Sequence, residues 1–545
     1  MMNSDEEYEA KAKIARKEEQ RLKEEFQLEE GNDTEPHIPA PPDGGYGWVI
    51  VFASFICNMV VDGVSFSFGL LLPFLVEHYG ETKGTTAWVG SLLTGFQLGA
   101  GPLVSAVANK FGCRIACLIG CVLASSAVAL STMCPSVSVM MLVYGVLGGM
   151  GYGFIYLPAV VMVGYYFESK RSLATGIAVC GTGVGAFAFA PLVTASLKNF
   201  GWKYTNLFLA GITISCALFG ALMKPLNYGV VEENVVQEKV PARPRSRTSE
   251  GNVSNPGAVF SSTLSITKRK GSVQPLARKD VLYTGSIQNL KEFQSRTSLA
   301  EYRHSVHSLN KPKTSKGKSF CNVSELLGDL LDLSLLKDAV FLVLAFATLF
   351  AILAFYIPFV YLVELAKTKG IDESQGSMLI SIIGITNIIG RIGVGFIADF
   401  PKVNNFLINN ICLVLAAIGV IIMPLCSSFA TLAAVSVVFG FSVAGYISLT
   451  SIILVEFLGL DKLTNAFGLI ILFRGAAATF GTPIAGTLYD YTGSYTIPFF
   501  FGGAAFAISA LISMSAPCFR KNTELVDRDV SAPINVKEEK SDNVV

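Results

Sequence analysis

Three strong charges sit deep inside apolar stretches of this chain: Asp62, Arg391 and Arg474. An ionised side chain at bilayer depth costs at least ~2.5–3.5 kcal/mol on insertion scales, so such residues face a water-filled cavity or a partner. An acid and two arginines in one bundle point to a small anionic or zwitterionic cargo. Arg391 offers a planar fork suited to a carboxylate. Arg474 is a candidate second anion contact, or a partner for Asp62 in a gate. Asp62 is a candidate holder of a cationic group or of a proton. The competing reading is a structural ion pair between Asp62 and one arginine. Asn58, Asp62 and Ser65 are four and three residues apart and share a helix face, as do Asn387 and Arg391.

The depth of these charges follows from helix geometry. At about 1.5 Å per residue, Asp62 lies about 21 Å inside Trp48, Arg474 about 18 Å inside Lys462, and Arg391 about 12 Å from Asp399. A hydrocarbon core of about 30 Å puts all three within reach of its midplane.

The elements that must position them are membrane spans. The 545 residues are 51% hydrophobic and only 15% charged, against about 25% charged in a soluble domain, and mean hydropathy is +0.52. The net charge of +1 identifies no partner, and no nucleic acid is expected. Apolar runs predict six spans near Trp48–Val76, Thr86–Asn109, Gly112–Cys134, Ser136–Val163, Arg171–Leu197 and Tyr204–Met223. Six more are predicted near Asp338–Leu365, Ser374–Asp399, Asn405–Ser427, Ala430–Phe457, Leu463–Tyr489 and Thr496–Ala516. The first run has no small-residue cleavage site and reads as a retained span.

These runs divide the chain into a charged tail (1–47), a six-helix bundle (48–223), a polar segment (224–337), a second bundle (338–516) and a polar tail (517–545). The 224–337 segment is rich in Ser, Lys and Arg without periodicity, which predicts that it is largely disordered and that Lys224 to about Ser319 is dispensable for the fold. Within it, Lys268-Arg269-Lys270-Gly271-Ser272 reads as a basophilic kinase site or a basic run near anionic lipid. Basic residues in short loops set orientation. Lys110, Arg114, Lys170, Arg171, Lys402 and Lys462 narrowly outweigh Lys83, Lys198, Lys203, Lys367 and Lys369. With the basic central segment, they place both tails in the cytosol. The glycosylation triplets at Asn32, Asn252 and Asn322 then lie in the cytosol and stay unmodified.

The two bundles repeat each other. Pro191–Gly201 and Pro483–Gly493 share their spacing at an offset of 292, and Ser91–Asn109 matches Ser381–Asp399 at 290. Two six-span halves joined by a linker are the organisation of the major facilitator architecture, whose sites lie between the halves.

Two short segments carry a more specific signal. Asp43-Gly44-Gly45-Tyr46-Gly47-Trp48 opens the first span, with glycines for a tight entry and an indole for the interface. Tyr166-Phe167-Glu168-Ser169-Lys170-Arg171-Ser172-Leu173-Ala174-Thr175-Gly176 precedes the fifth, setting a basic pair, Lys170 and Arg171, before small packing residues. Together they resemble the paired signatures of the monocarboxylate transporter family, solute carrier family 16, over roughly Pro42–Pro517. The resemblance implies an all-α membrane protein with twelve transmembrane helices in the major facilitator fold. It implies an alternating-access carrier in the plasma membrane, often for lactate-like acids with a proton. Some relatives carry aromatic amino acids, thyroid hormones, creatine or carnitine, and some need a single-span accessory glycoprotein. The family commonly has an Asp four residues before the eighth-span Arg, where this chain has Asn387 before Arg391. Lactate-type members carry a first-span lysine where this chain has Phe66. Both departures weaken a proton-linked lactate mechanism, and the chain is most similar to the less characterised long-loop members. Asn109-Lys110-Phe111-Gly112-Cys113-Arg114 resembles the superfamily's loop between spans two and three, with Asp399 its counterpart, and implies gate contacts.

Other classes fit less well. Twelve spans in a twofold repeat argue against a seven-span receptor, and a channel needs no such repeat. Four histidines, at 37, 78, 304 and 307, form no metal cluster or nucleophile triad, so no enzyme and no cofactor are expected. A substrate sensor on a carrier fold remains the alternative to a transporter. Gly145, Gly148, Gly149 and Tyr152 share one side of span four, and Tyr152 and Tyr156 are candidate cavity-lining residues. Cys113, Cys117 and Cys121 repeat every four residues as small apolar packing groups. Epitope tags at Met1 and Val545 should be unreachable by antibody in intact cells; labelling of either end from outside would overturn the orientation.

Overall fold

The computed structural model describes residues 41–225, 279–294, 302, 306, 333–398, 400 and 403–530, with side chains to 519. Ten helices among them are long and apolar enough to cross a bilayer, and a bent pair, Lys83–Gly99 with Gly101–Phe111 at 46°, adds an eleventh span. The longest, Arg171–Leu222, has 52 residues. That is about 78 Å of helix, far beyond a hydrocarbon core of about 30 Å. It breaks at Gly201, where φ is 75° and ψ is 173°, a conformation that favours glycine. It therefore makes two spans, and the described residues hold twelve. They are α1 Tyr46–Tyr79, α2 (the bent pair), α3 Cys113–Leu130, α4 Val137–Tyr166, α5 171–200, α6 202–222, α7 Ala339–Thr368, α8 Glu373–Ala398, α9 Asn405–Ile422, α10 Phe429–Leu458, α11 Leu463–Thr492 and α12 Thr496–Val530. Large apolar side chains such as Phe52, Val122 and Leu218 are more than half exposed on the outside. A soluble surface rarely carries such a coat; lipid accepts it.

The helices pack as two halves, α1–α6 and α7–α12, which meet along three seams: α2 with α11, α5 with α8, and α1 with α7. Exchanging the halves converts the first seam into the second, so the interface has the twofold character of the sequence repeat. Matched contacts confirm it. Ser91 of α2 hydrogen-bonds the Thr482 hydroxyl of α11, and its repeat partner Ser381 of α8 donates to the Phe187 carbonyl of α5 at 3.0 Å. Backbones touch in both seams: a Cβ on Gly475 would stand 2.8 Å from the Gly95 oxygen, and one on Gly384 2.6 Å from the Gly183 oxygen. Without a hydrophobic drive between helices in lipid, such close packing of small residues supplies the adhesion. Beyond Gly99 the first seam lapses, for Gly101–Phe111 meets α11 only marginally, and α4 and α5 form no seam with α10 and α11. A cleft therefore opens towards the end of the bundle that carries Phe111, Arg171 and Leu463.

The two signature segments form one joint. Asp43 sits in the left-handed region at φ 46°, which an Asp tolerates better than most residues. Its carboxylate accepts from the Glu168 and Ser169 backbone N–H groups at 2.6 and 3.0 Å and from the Ser169 hydroxyl at 3.0 Å. Gly47 lets the Phe167 ring lie against α1, since a Cβ there would be 2.9 Å from it, and Trp48 meets that ring edge-on at 5.1 Å.

Three expectations are corrected here. Arg171 is not half of a solvated basic pair: Lys170 is exposed, but Arg171 is fully buried. It forms a 2.8 Å ion pair with Asp280, itself fully buried, and donates to the Phe167, Gly164 and Asp280 carbonyls. The central segment is not structureless throughout. Tyr283, Ile287, Leu290, Tyr302 and Val306 pack into one apolar cluster with residues of α7, α8, α10 and α11, among them Phe341, Val394, Leu449 and Leu463. A few apolar side chains suffice because the spans provide the rest of that core. Finally, α12 runs as helix to Val530, past the boundary expected at 516, with Pro517 inside it. The kinase-type motif, the glycosylation triplets, Lys402 and Asp399 lie outside the described residues.

Asp43→Ala would leave three donors without their charged acceptor. A loss of about 1–3 kcal/mol should appear as a lower melting temperature of the detergent-solubilised protein, and an unchanged value would show that the joint is not structural.

Candidate functional site

Helix α1 carries Asp62 into the cleft wall, partly exposed. Its two oxygens accept from Gln97 Nε2 of α2 at 3.0 Å and from Thr182 Oγ1 of α5 at 2.7 Å. Gln97 in turn accepts from the Ser65 hydroxyl at 2.9 Å. Three helices of one half thus hold the carboxylate in a single orientation. Asn58, one turn away, is fully buried in the α1–α5 seam, where its amide donates to the Ser54 and Ala178 carbonyls at 2.8 and 3.3 Å. It braces the wall and is not presented to the cleft.

Arg391 reaches the cleft from α8 of the other half. Its Nε donates to Asn387 Oδ1 at 2.7 Å, one turn back on the same helix. Asn387 is a neutral acceptor, so it orients the guanidinium without cancelling its charge. Arg474, on α11, donates from Nη2 to Thr450 Oγ1 at 2.6 Å and lies 5.6 Å over the Tyr446 ring. Its Nε is buried without a hydrogen-bond partner, as is the Tyr446 hydroxyl. Beside Tyr446 and Thr450 is a cavity of about 30 Å³, also lined by Thr348, Asn409 and Ser513, large enough for about one water. Neither arginine forms an ion pair with Asp62 among the described residues, so the gate pair and the structural pair are both unformed here.

Aromatic residues complete the wall. Tyr156 of α4 lies within electrostatic range of Asp62, Arg391 and Arg474, and Tyr356 of α7 within range of Asp62, Tyr156 and Arg474. Phe66 stacks on Phe359 of α7 at 4.2 Å and 15°, with Phe355 and Tyr356 beside it. The position where relatives are expected to carry lysine is here an apolar bridge between the halves. Tyr152 is fully buried and bonded to Thr213 of α6 at 3.1 Å, so of the two candidate tyrosines only Tyr156 reaches the charges. Sequence reasoning missed Gln97, Thr182, Thr450, Tyr446 and the Phe355-Tyr356-Phe359 cluster. The aromatic spacing of one and three on α7 was its available signal; the polar four resemble packing residues in any span.

The Major Facilitator Superfamily family model matches residues 54–425 and 344–532. Monocarboxylate transporter 14 of Homo sapiens is 32% identical over 510 residues, covering 91% of this chain and 95% of that protein. Monocarboxylate transporter 7 of Homo sapiens is 28% identical, covering 88% and 87%, and monocarboxylate transporter 9 of Gallus gallus is 28% identical, covering 91% and 97%. The chain belongs to the monocarboxylate transporter family of the major facilitator superfamily. It is a multi-pass secondary transporter, not an enzyme.

In such a carrier the two ends of the cleft must open in turn, and the closed end has its own lock. Lys83, at the start of α2, pairs with Glu364 of α7 at 3.4 Å, donates to the Tyr495 hydroxyl and lies 4.2 Å over the Tyr489 ring. Asp490 accepts from the Lys83 and Gly84 backbone N–H groups at 3.2 and 2.7 Å. Burial, and then the Glu364 charge, push the Tyr495 phenol above its ordinary range, so it stays protonated at neutral pH. Lys83 was read from sequence only as a topology charge. At the open end, Lys110 and Arg114 are exposed, and neither forms an ion pair among the described residues.

Lys83→Met should loosen the closed end. A cysteine at Thr94, buried beneath the cluster, should then react several-fold faster with a membrane-impermeant thiol reagent applied to that face. Equal reactivity in both backgrounds would show that the cluster does not gate.

Proposed function

We propose that this carrier moves a small monocarboxylate or a related carboxylate-bearing solute across the plasma membrane by alternating access, with both termini and the 224–337 segment in the cytosol. One observation carries the reading. Arg391 is buried at the cleft between the halves, and its side-chain partner is the neutral Asn387. A guanidinium in a low-dielectric wall with no carboxylate paired to it, Asp62 being held by Gln97 and Thr182, favours one that arrives with the solute, and its fork matches two oxygens. Arg474 supplies the second cation. Ser65, through Gln97, orients Asp62, Asn387 orients Arg391, and Phe66 sets an apolar limit on the chamber.

A second reading, a zwitterionic solute, draws support from Asp62. Its carboxylate is held by neutral donors, with Tyr156 and Tyr356 within electrostatic range, which suits a cationic group. The same acid serves a proton-linked cycle if the solute is a simple acid.

Uptake of lactate, pyruvate, creatine, carnitine and aromatic amino acids across an imposed pH gradient tests both. Arg391→Lys keeps the charge but loses the fork, so transport should fall sharply while surface expression persists, and Arg391→Ala should fall further. Asp62→Asn should cost more for a zwitterion than for a simple acid. Normal kinetics in both Arg391 variants would place the anion site elsewhere, and ligand binding without flux would identify a sensor.

A further inference from the structure

The central segment holds the one contact set in the described residues that joins the halves at the open end through a third element. It begins at Lys279, whose ammonium pairs with Asp461 at 2.7 Å and whose carbonyl accepts from Thr464 at 3.4 Å, both on the second half. The next residue, Asp280, is the buried partner of Arg171 on the first half, and its carboxylate also accepts from Tyr302 at 3.3 Å. The Val281 backbone lies flat on α4, where a Cβ on Gly164 would be 2.5 Å from its oxygen. Three residues on, Thr284 returns to the second half. Its N–H donates to Ser451 Oγ at 3.2 Å, and its hydroxyl meets Ser451 Oγ at 2.6 Å and the Ser448 carbonyl at 3.3 Å. Tyr283, Ile287 and Leu290 then fix it to the second half's apolar cluster. Ser451 lies seven residues before the end of α10, about 10 Å into the helix, and is the neighbour of the Thr450 that holds Arg474.

We infer that residues 279–294 form an autoinhibitory strap, laid between α4–α5 and α10–α11 inside the open end of the cleft, which holds the halves at one separation. Four residues from Asp280 to Thr284 reach at most about 14 Å, so the halves cannot part further while both anchors hold. They cannot close either, because the strap's backbone and its buried Arg171–Asp280 pair occupy the space where α4–α5 would meet α10–α11. The cycle then requires the strap to release one half. The weaker hold is on the second half, where the Lys279–Asp461 pair is exposed and Thr284 makes neutral hydroxyl contacts beside the apolar packing of Tyr283, Ile287 and Leu290; the Arg171–Asp280 pair, buried and with Arg171 donating to three carbonyls, is the fixed end. The inference rests on alternating access and not on which solute is carried.

The test reads conformation as well as flux. Spin labels at Glu81 and Ser374, exposed on opposite halves at the closed end, report its opening, with Cys134, Cys321 and Cys518 replaced. Two variants are compared with the parent: residues 279–294 exchanged for a Gly/Ser linker of equal length, and Lys279→Ala with Thr284→Ala, which removes both polar anchors on the second half and leaves the Arg171–Asp280 pair intact. Each should add a population of longer distances and raise the flux of any transported solute severalfold. In the otherwise unaltered chain, a disulfide between Thr284→Cys and Ser451→Cys should stop the flux of any transported solute until reductant is added. If the linker variant fails to reach the membrane, the double substitution Lys279→Ala with Thr284→Ala decides. An unchanged distance distribution with unchanged flux would reduce the strap to a passive covering and overturn the inference. Shifted distances with no solute transported from the panel would support the strap and count against the proposed solute class instead.

Discussion

A buried charge must find water or a counter-charge, and in this protein that constraint shapes everything around the cleft. Arg391 cannot lie in lipid, so α8 must face the interior. Asn387 cannot neutralise it, so the guanidinium keeps its pull on an anion. Asp62 could have cancelled it, but Gln97 and Thr182 hold that carboxylate with neutral hydrogen bonds from two other helices. The charges are kept near one another without pairing. An ion pair across the halves would have been lost each time they moved, at the cost of exposing two desolvated groups.

The same constraint is met differently at the periphery. Arg171 and Asp280 are both wholly buried and each has hydrogen bonds beyond the pair, the condition under which a buried pair is tolerated. Asp43 meets it with backbone N–H groups and a hydroxyl. These two peripheral sites are satisfied inside the protein, whereas the centre keeps unspent capacity in the unpartnered Nε of Arg474.

Closure at one end rests on contacts that are strong only at short range. Glycines bring α2 to α11 and α5 to α8 within backbone contact, and the Lys83–Glu364–Tyr495 cluster seals the seam above them. Such an interface is made or absent, with little between, because dispersion falls steeply with distance. A carrier needs that bistability, and the strap acts on the end where the corresponding contacts are missing.

The spans, the twofold repeat and the three deep charges were legible from residues alone, because a bilayer makes apolar length and buried charge conspicuous in any chain. The two signature segments were legible as motifs, but only folding reveals that Asp43 caps the loop before α5, a contact across 125 positions. Tertiary structure also decided which polar residues serve the cleft. Asn58 and Asp62 share a helix face, yet Asn58 is fully buried against α5 whereas Asp62, also bonded to α5 through Thr182, is partly exposed at the cleft. The strap was the largest surprise. Tyr283, Ile287 and Leu290 fall at helical spacing in a polar segment, too few apolar residues to fold by themselves. They are ordered because the second bundle supplies a ready-made core, and a sequence carries no local sign of a surface that exists only after the rest has folded.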